Sequence, residues 1–149
     1  MITIREQLEK LAALIGGKAW GLDKGKPRIY MPSRRDCKVY FDFPAPAYAS
    51  PEDEINGAVD LGGAALRVYI DDCGQHPNWY ASQKAKMIAA RAKDSLAIQA
   101  AQSDDWELAQ VILDFDDDLD VDDISNHLTN GRLAEARAML TTEDALQSA

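Results

Sequence analysis

Apolar residues recur through the first stretch of the chain at the three- and four-residue spacing of an amphipathic helix. Ile4, Leu8, Leu11, Ala12, Leu14 and Ile15 follow it until Gly16-Gly17 ends the pattern. Thr3 with Glu6 three residues later forms a capping box, so a helix is expected over about residues 4–15. The period then shifts to two. Lys18 to Leu22, Arg28 to Met31 and Cys37 to Phe43 are short runs with aromatic and β-branched residues. Asp23-Lys24-Gly25-Lys26 and Pro32-Ser33-Arg34-Arg35-Asp36 separate them with turn residues, which predicts a three-stranded antiparallel meander. Alternation in the third strand sends Val39, Phe41 and Phe43 to one face and Lys38, Tyr40 and Asp42 to the other. One face then packs on the helix while the other meets water.

Residues 44–63 hold three of the six prolines and three of the nine glycines and read as a long loop, shortened if a helical turn follows Ser50-Pro51-Glu52. Leu66 to Ile70 reads as a fourth strand with Leu66, Val68 and Ile70 on one side, closed by Asp71-Asp72-Cys73-Gly74. Asn78 is placed to cap a long helix through Ala101, and Ser103 to cap a segment from Trp106 to Phe115. That segment contains Val-Ile-Leu-Asp-Phe, which also suits a strand. Asp120 is expected to cap a helix over Val121 to Leu128, stopped by Asn130-Gly131, and a last helix covers Leu133 to Leu140. The fold class is α+β: an N-terminal helix, a small antiparallel sheet of about four strands, then a helical C-terminal half.

Composition narrows the setting. With 149 residues and 46% hydrophobic content the chain is expected to form one domain, or one with a small appendage. Two cysteines suit a reducing cytoplasm, and the first residues lack the pattern of a secretory leader. No apolar run approaches the roughly 20 residues of a membrane span. Charge is uneven: residues 1–102 hold 14 basic and 12 acidic side chains, whereas residues 103–149 hold 2 basic and 13 acidic. This separates an α+β core over 1–102, carrying a basic meander, from an acidic helical segment over 103–149, expected to pack on the same domain. Residues 103–123 contain ten acids and no base.

Several groupings invite chemistry. From Asp114, acids fall at alternate positions as in a calcium loop, but Leu119 and Ser125 stand where the loop needs Gly and Glu. Cys37, Cys73, His76 and His127 have the donor number of a zinc site without its paired half-sites, so no metal or other cofactor is assigned. Asp42, Asp71 and Asp72, at strand ends, would make a two-metal nuclease site if they converged. No nucleophile elbow, Walker loop or GxGxxG is present. Trp20 and Tyr30 with Arg34 and Arg35 would make a nucleic-acid-binding module. Because a protein of net charge -9 repels polyanions, we expect Trp20, Tyr30 and Tyr40 to serve the core and the cations to form a solvated hairpin or to pair with the acidic segment.

The text KAWGLDKGKPRIYM and CKVYFDF, together with DFDDDLDVDD, resembles the small acidic proteins of phages and mobile elements, including anti-CRISPR inhibitors. The resemblance implies a non-catalytic inhibitor of a nucleic-acid-handling host complex. Its partner would be a basic nucleic-acid-binding protein whose groove accepts a mimic of spaced phosphates. The contact residues expected on this reading are Asp104, Asp105, Trp106, Asp114, Asp116, Asp117, Asp118, Asp120, Asp122 and Asp123, with Phe115 and Leu119 as further apolar anchors.

Overall fold

The computed structural model describes residues 4–22, 26–33, 37–44, 61, 63–70, 77–115 and 119–148, with backbone alone for 141–148. The chain divides into two compact units, Met1–Arg91 and Ala92–Ala149, so the boundary falls ahead of the charge boundary at residue 102.

The first unit begins with α1 (Ile4–Ile15), followed by β1 (Lys18–Trp20), β2 (Arg28–Met31), β3 (Cys37–Asp42) and β4 (Ala65–Ile70). The strands pair antiparallel in chain order, β1-β2-β3-β4. Each expected strand is present, β2 with the expected bounds and the others with one end shifted by one or two residues. Ile4, Leu8 and Leu11 of α1 and Ile29, Met31, Val39, Phe41, Val68 and Ile70 of the sheet are each at most 3% exposed and form this unit's core. Each such side chain contributes about 1.5–3 kcal/mol through burial. Gln7 is buried among them, and its Oε1 accepts the Leu61 N–H at 2.9 Å, which ties the chain just before β4 to α1.

The single helix expected from Asn78 to Ala101 is two helices, α2 (Pro77–Ala90) and α3 (Ala92–Gln102). Proline suits the first helical position, so Asn78 lies inside the first turn and is not its cap. At Arg91 the backbone N–H bonds Ile88 O at 3.1 Å, a three-residue step that interrupts the α ladder. The Arg91 guanidinium donates to the carbonyl of Pro32, just after β2. No glycine or proline marks the break. The two halves differ in surroundings: α2 lies against β4 with no side chain buried, whereas α3 buries Leu96, Ala97, Ile98, Ala100 and Ala101.

The second unit continues with α4 (Trp106–Asp114), α5 (Val121–Thr129) and α6 (Leu133–Ser148). α3 packs on α4 and α5, and α6 packs on both of those, closing a core of Leu96, Ile98, Leu108, Ile112, Ile124 and Leu140. The Val-Ile-Leu-Asp run is helical, with Ile112 buried and Val111 outward, so the 3.6-residue period prevailed over β propensity.

Two of this unit's helices stop in the same way. At the end of α5, Gly131 (φ 73°) donates to Leu128 O and Arg132 to His127 O, the paired bonds of a Schellman stop. At the end of α3 the same bonds run from Asp104 to Ala101 O and from Asp105 to Ala100 O, with Asp104 (φ 64°) in the place glycine normally takes.

Candidate functional site

The register arranges the outward residues of the sheet in rows. Lys18, Tyr30, Tyr40 and Arg67 lie opposite one another across all four strands. Trp20, Arg28, Asp42 and Ala65 form a second row, and Lys38 faces Tyr69 in a third. Alternate residues of the same strands, Ile29, Met31, Val39 and Phe41 among them, are buried. α1 packs on β1 and β2 with its apolar residues buried, and on the other side Lys18, Trp20, Tyr30, Lys38, Arg67 and Tyr69 are exposed, so among the described residues that side is open.

Trp20 is 62% exposed, Tyr69 50% and Tyr30 36%, while Tyr40 is half-buried between neighbours. The expectation that Trp20, Tyr30 and Tyr40 serve the core is therefore corrected. The apolar demand of the core is met by the aliphatic residues and Phe41 on the opposite face, and tyrosine and tryptophan tolerate a position with one end wet. Tyr40 meets Tyr30 edge-to-face at 5.2 Å between centroids and Tyr69 at 6.0 Å, and the Arg28 guanidinium carbon sits 4.7 Å from its ring centre. Such a cation–π contact is worth about 0.5–1 kcal/mol near the surface.

Asp42 is the one acid in these rows. Its Oδ1 is 3.2 Å from Arg28 Nε and its Oδ2 is 3.9 Å from Arg67 Nε. Arg28 Nε and Asp42 Oδ1 are shielded from solvent yet poorly aligned for a hydrogen bond, so charge attraction holds them together. The net character of the rows is four cations against one carboxylate. Beside Trp20, a cleft of about 390 Å³ lies between α1 and the end of β1, lined by Arg5, Leu8, Glu9 and residues 19–22.

Of the three acids of the nuclease arrangement, Asp71 and Asp72 lie outside the described residues. Asp42 pairs with Ala65 at one end of the β3–β4 ladder, whose other end is the pair Cys37 and Ile70, and it is engaged by two arginines.

Arg34, Arg35, Cys73 and His76 lie outside the described residues. Cys37 is buried on the core face, and His127 Nδ1 accepts from Arg132 Nε at 2.9 Å. No cluster of metal-binding side chains occurs among the described residues.

The acidic segment resolves into separate tasks. Asp105, not Ser103, is the N-cap of α4: its Oδ1 accepts the Leu108 N–H at 3.0 Å, and both its oxygens accept from Arg137 Nη2 at 2.8 Å. Burial pushes the Asp105 pKa up, but the bond from Leu108 and the bond and charge of Arg137 outweigh it and hold the carboxyl below its usual range. Asp120 caps α5 as expected, accepting the Asp123 N–H at 3.2 Å. Asp114 accepts from Gln110, and Asp123 stands 3.9 Å from His127. Asp122 and Glu107 are exposed. Asp116, Asp117 and Asp118 lie outside the described residues. Of the expected anchors, Trp106 and Leu119 are half-buried, and Phe115 is buried as the C-cap of α4, where Lys93 donates to its carbonyl.

Residues 92–149 contain three basic side chains, Lys93, Arg132 and Arg137, and each is engaged within that unit. Lys18, Lys38, Arg67 and Tyr69 belong to this exposed face although the motifs weighed above did not include them. Their signal was the period-two alternation already used for β3, which also assigns the outward residues of β1 and β4 once the register is known.

Comparison with protein-family models, with curated proteins and with solved structures finds no match for this chain. Among the described residues no helix is long and apolar enough to cross a membrane.

Proposed function

We propose that the protein is a binding protein whose open sheet face engages a polyanion. The observation that carries this reading is the set of rows in which four cations and one acid surround exposed aromatic rings on a single face. The negative net charge is carried by the other unit: residues 1–91 hold 13 basic and 11 acidic side chains. Retention on an immobilised polyanion such as polyphosphate tests the reading. The full chain is retained at low salt and released as salt rises, and the variant Lys18→Glu/Lys38→Glu/Arg67→Glu flows through. Wild-type protein that flows through at low salt overturns it.

A second reading is favoured by the internal commitment of all three lysine and arginine side chains of the acidic unit, Arg137 to both Asp105 and Glu107, which leaves the exposed carboxylates Asp114, Asp122 and Asp123 without a lysine or arginine of that unit to neutralise the surface. On this reading the acidic unit docks on the basic groove of a nucleic-acid-handling host protein as an inhibitor of anti-CRISPR type. Replacing Asp114, Asp116, Asp117, Asp118, Asp122 and Asp123 by Asn then abolishes capture of that protein from nuclease-treated host lysate. Capture unaffected by the Asn changes removes this reading.

A further inference from the structure

We infer that the polyanion taken by the open sheet face is single-stranded nucleic acid, with bases stacked on Trp20, Tyr30 and Tyr69 and phosphates held by Lys18, Lys38 and Arg67. This rests on the reading above that the face binds a polyanion. A ligand that offered charge alone would be served by cations alone. Here the rings of Trp20, Tyr30 and Tyr69 stand in water among those cations, at a cost in exposed apolar area that a flat aromatic ligand would offset. The Tyr30–Tyr40 and Tyr40–Tyr69 pairs meet at 68° and 67°, so neither pair is stacked face to face and stacking capacity is left for bases.

Charge complementarity sets the class of ligand and the rings set its form. In a duplex the bases stack on one another and present only their edges, so rings on a flat sheet would meet sugar and phosphate. An acidic peptide supplies charge without the regularly repeated rings. A single strand offers both at every residue. With neighbouring strands about 4.8 Å apart, Lys18 on β1 and Arg67 on β4 stand roughly 14 Å from each other, with Tyr30 and Tyr40 between them. Cations and rings are thus interleaved across all four strands, so a single strand crossing the face would meet both along its length. DNA and RNA share this chemistry, and the probes distinguish them.

The test is fluorescence anisotropy of labelled oligo(dT) and oligo(rU) titrated with the full chain at low salt, with unlabelled duplex, polyphosphate and poly-aspartate as competitors. At least one single strand binds, and duplex and polyphosphate compete at least about tenfold more weakly. Trp20→Ala and Tyr69→Ala each weaken binding about five- to a hundredfold, while Tyr69→Phe, which keeps the ring, stays near wild type. Lys38→Ala lowers the slope of log affinity against log salt by about one. Far-UV circular dichroism confirms that each variant is folded. Polyphosphate or duplex competing as well as the single strand, or Trp20→Ala and Tyr69→Ala binding like wild type, overturns the inference while leaving the polyanion reading standing. Absence of binding to both polyphosphate and single strands overturns both.

Discussion

The open sheet face and the acidic helical unit are two strongly charged regions of this protein, and they place charge in opposite ways. On the sheet, charged residues occur within the strands, where the backbone has its own ladder partners and makes no demand on them. Lys18, Lys38 and Arg67 are consequently presented on a face. In the helical unit several acids sit at helix ends, where unpaired backbone N–H groups recruit them: Asp105 and Asp120 are caps, and Asp104 takes the left-handed turn between α3 and α4. A run of acids in a sequence is therefore a poor guide to a binding surface until the helix ends are known.

The comparison can be broken most severely from beneath the sheet. Phe41 is buried on the face opposite Tyr40, and Phe41→Ala is expected to cost about 3–5 kcal/mol in urea unfolding. Loss of stability below about 1 kcal/mol would mean that the core face does not support the open one.

At the helix ends, Asp105→Ala removes a cap and leaves Arg137 without its principal partner, and about 1–2 kcal/mol should be lost from unfolding that reports the helical unit. Asp105→Asn keeps the cap but not the charge and should cost less. The pH dependence follows from the lowered pKa of Asp105. The folded state binds this proton less readily than the unfolded chain, so the contribution is fully present above the ordinary carboxylate range. It declines as pH falls below about 4 and through the depressed folded value. Acid titration of wild type and Asp105→Asn, followed by helix circular dichroism, should show a shallower loss in the variant.

Asp104→Gly is expected to stabilise by about 0.5–1 kcal/mol, because glycine occupies the left-handed conformation without the strain of a Cβ. Destabilisation would show that the Asp104 side chain contributes something beyond its turn. The smallest effects belong to the open face: Lys38→Ala and Arg67→Ala should each change stability by less than about 0.5 kcal/mol while altering ligand binding. That contrast with Asp105 is the sharpest form of the comparison.

Much of this was legible in the sequence. The helical spacing from Ile4 to Ile15 marked α1, and the Gly131 stop and Asp120 cap delimited α5, because each of these signals is local. Alternation in β3 placed Phe41 and Lys38 on opposite faces. The break at Arg91 left no local signal, since neither neighbour is a helix breaker and the guanidinium's partner, Pro32, is remote in sequence. The Asp104-Asp105 turn was obscured because aspartate serves a left-handed stop and a cap equally well as a solvated surface.

Local patterns alone determined which residues share a strand face and where α1 and α5 begin and end, because those properties follow from backbone periods and from side chains reaching backbone groups a few residues away. Only the tertiary structure decided which face of the sheet α1 covers, and hence that Trp20, Tyr30 and Tyr69 stand in water. It alone set the register that puts Asp42 and Ile70 at opposite ends of one ladder while drawing Lys18, Tyr30, Tyr40 and Arg67 into one row. The physical reason is that alternation distinguishes two faces without saying which is dry, and rows across strands join residues that the chain separates by turns. Packing of an apolar helix on one side settles both at once.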